Sequence, residues 1–152
     1  MPEERDLTAA AKQIIDANLY MVIATADPSG QPWASPVYFA SADYREFFWI
    51  SQPDATHSLN LRDRREVGIV IFDSSVAINT GQGVYISGVA RELPAHETPD
   101  GLEIFSRRSV EHGGEEVTID DVRPPARHRL YQASAEAHYV LDEHDHRVEV
   151  DL

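Results

Sequence analysis

The sequence has 152 residues, of which 42% are hydrophobic, and a formal net charge of −13 at pH 7. This length and composition are ordinary for a globular protein, so we expect one domain over residues 1–152. The negative charge argues against nucleic acid as the main partner, because a phosphate backbone is bound through clustered Lys and Arg side chains. No apolar run approaches the roughly 20 residues of a membrane span. Because the charged N-terminus also has no signal-peptide pattern, we expect no membrane partner and a cytoplasmic location.

The first half of the chain is predicted to contain an amphipathic helix, four strands and a short helical stretch that runs through Arg64. Apolar residues at helical spacing indicate an amphipathic helix over residues 7–18. A turn with Pro28 and Gly30 joins the first two strands into a hairpin. Because Pro36 has no backbone donor, we expect a bulge or a break in the second strand at that point. The predicted strands cover residues 19–26, 31–40, 46–51 and 66–72, with a loop at 41–45.

The second half is predicted to add one helix and four more strands. Gly88 lies in the middle of the strand at residues 84–93, which indicates a tight bend or the close approach of another group. Pro99 is typical of a helix start, and Gly113 and Gly114 are expected to end that helix. Its core-facing residues are expected to be Leu102, Phe105, Ser109 and Val110. The closing strands are predicted at 128–134, 137–142 and 147–150, with a bend near residues 133–134.

These elements together predict a mainly β fold. Strands outnumber helices, hairpin connections dominate, and the regular strand–helix–strand alternation of a parallel sheet is missing. A small antiparallel barrel with a few packed helices satisfies this pattern.

Residues 47–61 are the stretch with the strongest indication of a binding site. An aromatic-rich strand ends at Gln52, Pro53 and Asp54, and a helical stretch follows with three hydrogen-bonding side chains, Thr56, His57 and Ser58. Free backbone N–H groups at a helix start, together with such side chains, favour a bound anion. The same residues also suit a plain strand, turn and capped helix, in which Thr56 or Ser58 acts only as the cap. Both interpretations remain open from the local sequence.

Other common sites find little support in the sequence. His144 and His146 lie in a polar turn between short strands, where alternating side chains point apart, so a metal site is not predicted. The chain has no G-x-S-x-G, no Walker loop and no dinucleotide fingerprint before a helix. Gly81-Gln82-Gly83 precedes a strand and is interpreted as a tight loop.

The order and spacing of several segments resemble the pyridoxamine 5'-phosphate oxidase-like flavin-binding split-barrel proteins. The resemblance covers residues 19–93, with a weaker match in the C-terminal strands. It depends on Gly30-Gln31-Pro32, Ser35-Pro36-Val37, Phe48-Trp49-Ile50-Ser51, Thr56-His57-Ser58-Leu59-Asn60-Leu61 and Gly81-Gln82-Gly83-Val84-Tyr85-Ile86-Ser87-Gly88. It implies a split antiparallel β-barrel of the FMN-binding type.

The resemblance also implies a homodimer that holds two FMN molecules at the subunit interface. Ser35, Pro36 and Val37 would line the flavin ring, and Trp49, Ile50 and Ser51 would flank the ribityl chain and the ring edge. Gln82 would reach the cofactor from its loop. The phosphate end would be held by Thr56, His57, Ser58 and Asn60.

The chain departs from the oxidases at the cationic positions around the phosphate. Ser35 and Ala40 occupy the places of an Arg and a Lys, and Ala55-Thr56-His57 replaces a serine-arginine-lysine run. Four cationic side chains are therefore missing, although charge-assisted hydrogen bonds to phosphate are about twice as strong as neutral ones. Arg62 or an arginine of a partner subunit is the candidate replacement.

The predicted function is that of an FMN-binding oxidoreductase that transfers hydride or electrons through the flavin to a small substrate. Oxidation of pyridoxamine phosphate itself is not expected, and no catalytic side chain is identified. One alternative is a deazaflavin-binding reductase on the same fold. The other, suggested by the missing cations, is a cofactor-free binding or dimerisation module.

Overall fold

The structure is a computed structural model and describes residues 4–152. The helices are α1 (Glu4–Ala17), α2 (Thr56–Asp63) and α3 (Thr98–Glu111), with short 3-10 turns at Ala95–Glu97 and Ile119–Val122. The strands are β1 (Tyr20–Ala26), β2 (Pro32–Tyr38), β3 (Ala40–Ala42), β4 (Glu46–Ser51), β5 (Glu66–Phe72), β6 (Gly83–Glu92), β7 (Arg129–Leu141) and β8 (Arg147–Val150). Within residues 4–152, none of the helices combines the length and the apolar composition needed to cross a bilayer.

The eight strands form one curled antiparallel sheet, which confirms the predicted mainly β split barrel. The strand order is β2-β1-β5-β6-β7-β4-β3, and β8 pairs with β7. The barrel encloses a core whose largest side chains, Phe39, Phe47 and Trp49, have no exposed surface. Helix α1 closes one side of this core with Ala11 and Ile15, as its apolar spacing predicts.

The structure corrects the prediction for the second strand. Strand β2 pairs with β1 in a continuous register, in which Pro36 lies opposite Val22, so the expected bulge at Pro36 is wrong. Strand β2 is at the edge of the sheet, where a proline is tolerated because one side of the strand makes no ladder hydrogen bonds. The expected loop at 41–45 is also partly wrong, since β3 continues to Ala42 and pairs with β4.

Strands β6 and β7 confirm the close approach predicted at Gly88. A Cβ atom at this position would collide with the carbonyl oxygen of Ser134 on β7. The register shifts here, because Ser87 pairs with Ala137 whereas Gly88 pairs with Ala135. One residue of β7 is therefore extra, which is a β-bulge. The two closing strands predicted at 128–134 and 137–142 are one strand, β7, since the bulge bends it without ending it.

Helix α3 packs on the other face of β4 and β7. Its residues Leu102 and Phe105 join a second apolar cluster with Phe48 and Leu130, as predicted. Val110, however, is 54% exposed, so its predicted core position is wrong. The helix is followed by Gly113 with a positive φ of 83°, which agrees with the predicted stop.

Candidate functional site

The predicted strand, turn and helix at residues 46–63 are present in the structure. Strand β4 is held between β3 and β7, and this pairing fixes the position of the turn that follows it. Helix α2 then begins after Ala55, which has extended backbone angles and makes no side-chain capping bond with the described residues. The first turn of α2 thus offers uncapped N–H groups and the positive end of the helix dipole.

Three of the predicted phosphate-binding side chains point into the protein. His57, Ser58 and Asn60 are all more than nine-tenths buried, whereas Thr56 is exposed. His57 Nε2 lies 2.8 Å from Ser51 Oγ and shares a hydrogen bond with it. Asn60 Nδ2 donates to Thr25 Oγ1 over 3.0 Å. The side chains of His57 and Asn60 therefore tie α2 to β4 and β1.

Burial also decides the charge on His57. Desolvation lowers the pKa of its imidazole below the usual 6.5, because the charged form loses its hydration. His57 is therefore neutral near pH 7 and supplies a hydrogen bond but no full positive charge. It does not replace the cationic side chain that the resemblance leads one to expect there.

Two buried polar atoms near the start of α2 have no hydrogen-bond partner within the described part of the chain. They are Ser58 Oγ and Trp49 Nε1. Trp49 stacks on Tyr131, with ring centres 5.7 Å apart and planes 15° from parallel. Burial raises the pKa of Tyr131, and an interaction with the Ser58 hydroxyl lowers it in part, so these two hydroxyls approach each other although their geometry does not reach that of a hydrogen bond. Leaving a buried donor without a partner costs about 1–3 kcal/mol, so a polar ligand atom would be stabilised there.

The hydrogen-bond donors at the start of α2 suit the phosphate group of FMN. Uncapped N–H groups, the Ser58 hydroxyl and the exposed Thr56 hydroxyl can all donate to phosphate oxygens. The fit in charge is weaker, because each of these donors is neutral. The nearest cation on the same helix is Arg62, whose Nη2 lies 3.4 Å from the Pro53 carbonyl oxygen.

The remaining predicted cofactor residues lie on β2 and β4. On β2, Ser35 is half-buried, Pro36 is exposed and Val37 is buried against the barrel core. On β4, Ile50 is half-buried and packs against the second apolar cluster, while the Ser51 hydroxyl is hydrogen-bonded to His57. Strand β2 and helix α2 are in contact and Ser51 is bonded to His57, whereas Ile50 lies on the opposite face of β4.

Gln82 lies apart from that region within one chain. It is exposed and lines a cavity of about 580 Å³ together with Thr80, Tyr85 and Asp142. None of the other ten predicted residues lines this cavity. A Gln82 contact to the same ligand would therefore have to come from a second subunit, which is the arrangement that the resemblance implies.

An apolar cavity next to this one was not predicted from the sequence. It has a volume of about 570 Å³ and runs across the outer face of the sheet, over Ala24, Gly68 and Tyr139. It shares Val70, Tyr85 and Leu141 with the cavity that Gln82 lines. Tyr85 on β6 is the residue that could have indicated this cavity. It is an exposed aromatic side chain on the face of the strand opposite the buried Val84 and Ile86.

Comparison with known proteins identifies the fold and a family. The sequence matches the model of the Pyridoxamine 5'-phosphate oxidase family over residues 7–141. Comparison with curated protein sequences gave no significant match.

Three solved structures illustrate the likeness of the fold. A heme binding protein from Mycobacterium smegmatis is 15% identical, with a TM-score of 0.72, and the match covers 91% of this chain and 55% of that protein. HutZ, the heme storage protein from Vibrio cholerae, is 20% identical, with a TM-score of 0.67 and coverage of 90% and 92%. ChuZ from Campylobacter jejuni is 13% identical, with a TM-score of 0.77 and coverage of 98% and 61%. The chain thus spans little more than half the length of the first of these proteins, and identities this low indicate a shared fold alone.

Proposed function

The chain belongs to the pyridoxamine 5'-phosphate oxidase family, and on that premise we propose that it is a homodimeric FMN-binding oxidoreductase. The observation that carries the proposal is the buried Ser58 hydroxyl, which has no partner among the described residues and lies in the uncapped first turn of α2. A hydroxyl in that state is stabilised by an acceptor from outside the chain. A phosphate is such an acceptor, and helix starts favour it.

The chain's own residues would bind and orient the cofactor. The N–H groups of the first turn of α2, with the hydroxyls of Thr56 and Ser58, would donate to the phosphate. Neutral His57 would hold Ser51 in place beside the ribityl chain, through the 2.8 Å bond that joins them. When bound, FMN supplies the capacity to accept and deliver hydride, while the protein contributes position and electrostatic surroundings.

Ser35, Pro36, Val37, Trp49, Ile50 and Gln82 complete the proposed cofactor set. Trp49 is fully buried and stacked on Tyr131, so it would support the site from the barrel core. The β2 residues would form one wall of the ring site, because β2 is an edge strand with one side open. Asn60 keeps its bond to Thr25 and would act by fixing α2.

The homodimer is supported by the apolar outer face of the sheet. Phe72 and Tyr85 at this face are 46% and 40% exposed, and the nearby loop carries Ile78 at 91% exposure. A second copy that covers this face would remove these side chains from water. The proposed dimer further requires this contact to bring the Gln82 loop of one subunit to α2 of the other.

Titration of the purified protein with FMN tests the proposal, with flavin fluorescence as the readout and sedimentation velocity for the subunit count. Saturable quenching together with a dimeric mass supports it, and no quenching at millimolar FMN refutes it. A deazaflavin titrated in parallel decides between the two flavin types.

Hemin is a third ligand for the same titration, because two of the structural relatives are named for heme. The tyrosines of the apolar cavity, Tyr85 and Tyr139, are the observation that favours it, since a phenolate is one of the known axial ligands of heme iron. A Soret shift that saturates at stoichiometric hemin, with no FMN binding, would replace the flavin proposal with this one. Binding of none of the three ligands would favour the cofactor-free module.

A further inference from the structure

The proposed FMN site lacks positive charge at the positions where the family usually has it. A phosphate monoester carries about −1.5 to −2 charges at pH 7, whereas Ser58, Thr56 and neutral His57 add none. We propose that Arg62 and Arg127 form a pair of guanidinium groups that binds the phosphate in their place. This inference rests on the proposed function and concerns the same helix start.

Both arginines face one cavity beside the beginning of α2. The cavity has a volume of about 330 Å³ and is lined by Gln52, Pro53, Asp54, Arg62 and Arg127. Three of these residues form the turn that immediately precedes Ala55, after which α2 begins. The cavity and the uncapped N–H groups therefore adjoin each other along the chain.

The two arginines come from elements that the sheet brings together. Arg62 lies in the last turn of α2, yet its Nη2 reaches back to 3.4 Å from the Pro53 carbonyl oxygen. Arg127 belongs to the segment before β7, and the pairing of Ser51 with Arg129 brings that segment to the end of β4. The β4–β7 register thus places the Arg127 segment at the turn that Arg62 reaches from α2, and both arginines line the cavity there.

Neither guanidinium makes an ion pair with a side chain of residues 7–152, the side chains that the structure describes. Other arginines of the protein do make such pairs, among them Arg91 with Glu97 and Arg123 with Asp120. Arg62 makes one long bond to a carbonyl oxygen, and Arg127 is exposed. The chain has 26 acidic residues and 13 basic ones, so two arginines at one cavity that no described carboxylate pairs with are suited to an anion.

The positive charge of Arg62 also extends to the buried part of the site. Burial raises the pKa of Tyr131, whereas the Ser58 hydroxyl and, as the smallest effect, the charge of Arg62 act to lower it. Arg62 is therefore electrostatically close to the hydroxyl that carries the proposed function. Ser58 and Arg62 are also four residues apart on α2, a spacing that puts two side chains on the same side of a helix.

Asp54 is the one carboxylate that lines the cavity, and it opposes an anion. Two guanidinium groups and one carboxylate leave a net charge of about +1. Because a like charge near the phosphate costs binding energy, Asp54→Asn should strengthen phosphate binding, whereas loss of either arginine should weaken it. Opposite effects from neighbouring substitutions are difficult to produce through a general structural change.

The experiment compares FMN with riboflavin, which lacks only the phosphate, by fluorescence titration of the full-length protein. Arg62→Gln and Arg127→Gln should each raise the dissociation constant for FMN about tenfold or more, which corresponds to one charge-assisted hydrogen bond. Riboflavin affinity should stay unchanged in both variants, and Asp54→Asn should tighten FMN alone. Inorganic phosphate should compete with FMN in the unmodified protein and compete less in the arginine variants.

Arg123→Gln is the matched control, because it removes one exposed arginine from the same loop as Arg127, outside the cavity. It should leave both dissociation constants unchanged. Two results with FMN bound would contradict the proposed pair of guanidinium groups and leave the proposed function standing. In one, Arg62→Gln and Arg127→Gln leave the dissociation constant of FMN unchanged, as Arg123→Gln does. In the other, they change the dissociation constants of FMN and riboflavin equally. If the unmodified protein binds neither flavin, the proposed function itself is refuted, and this inference with it.

Discussion

Replacing Ser58 with alanine is expected to stabilise the ligand-free protein while weakening its binding of FMN. Ser58 is 2% exposed, and its hydroxyl has no hydrogen-bond partner among the described residues. The substitution removes a desolvation cost of about 1–3 kcal/mol, and alanine is also the better helix former. For a chain of this size each kcal/mol shifts the melting temperature by about 2–4 °C, so a rise of several degrees is expected.

The same substitution should act in the opposite direction once FMN is present. Loss of one hydrogen bond to a charged phosphate should raise the dissociation constant about tenfold. At saturating FMN the unmodified protein gains more stability from its ligand, so the higher melting temperature of the alanine variant should shrink toward that of the unmodified protein or fall below it. Differential scanning fluorimetry with and without FMN, at one protein concentration, measures both effects.

Ser106→Ala is the matched control for this prediction. Ser106 is also buried, but its Oγ accepts a hydrogen bond of 2.8 Å from the Val117 N–H. Its removal should therefore lower the melting temperature and leave FMN affinity unchanged. A lower melting temperature for Ser58→Ala without ligand would show that the hydroxyl is satisfied within the protein. Unchanged FMN affinity in Ser58→Ala would show that the Ser58 hydroxyl does not bind the phosphate.

Three further predictions concern pH, packing and assembly. Burial lowers the pKa values of His57 and His138 below that of a histidine in the unfolded chain. The free energy of unfolding should therefore be highest above pH 6.5 and should fall as pH drops from there through the folded-state pKa values, because protonation favours the unfolded chain. Urea unfolding across this range measures the change. Gly88→Ala should destabilise the protein by about 2 kcal/mol or more, because the new Cβ would collide with the backbone of β7; chemical denaturation measures the loss. Tyr85→Glu should convert the proposed dimer into monomers in sedimentation velocity, because it buries a charge at the apolar face.

Each of these predictions has a comparison variant. His138→Asn should reduce the pH dependence of stability, and an unchanged slope would contradict the assignment to buried histidines. Gly68→Ala should be mild, because its Cβ would meet only the Ala24 Cβ at 3.8 Å. Val110→Glu places the same charge on α3, away from the cavity of Tyr85, and should leave the dimer intact. Monomers from both glutamate variants, or from neither, would contradict the proposed interface.

The sequence predicted the elements whose signals are local. Strands β4 and β5 have the predicted bounds, because aromatic and β-branched runs end there at clear polar breaks. Gly88 was also interpreted correctly, since a glycine within a strand indicates a close approach whichever group makes it. Pro36 was not, because its effect depends on whether the strand is at the edge of the sheet, and distant pairing decides that.

The candidate site shows the same division between local and distant information. A helix start after residues 52–54 was predicted, but whether a side chain caps it was left open, and the structure shows that Ala55 precedes α2 with no side-chain cap. That His57 is buried and neutral was not, because its environment comes from the packing of α2 on the barrel. Arg127 was missed entirely, since 65 residues separate it from Arg62 and only the β4–β7 pairing brings the two together.

A crystal structure of the protein grown with FMN is the most direct test of the central claim. The account predicts one FMN per subunit, with a phosphate oxygen within hydrogen-bond distance of Ser58 Oγ and of the first N–H groups of α2. Density for the phosphate elsewhere on the protein, or no FMN density in crystals grown above the measured dissociation constant, would contradict it.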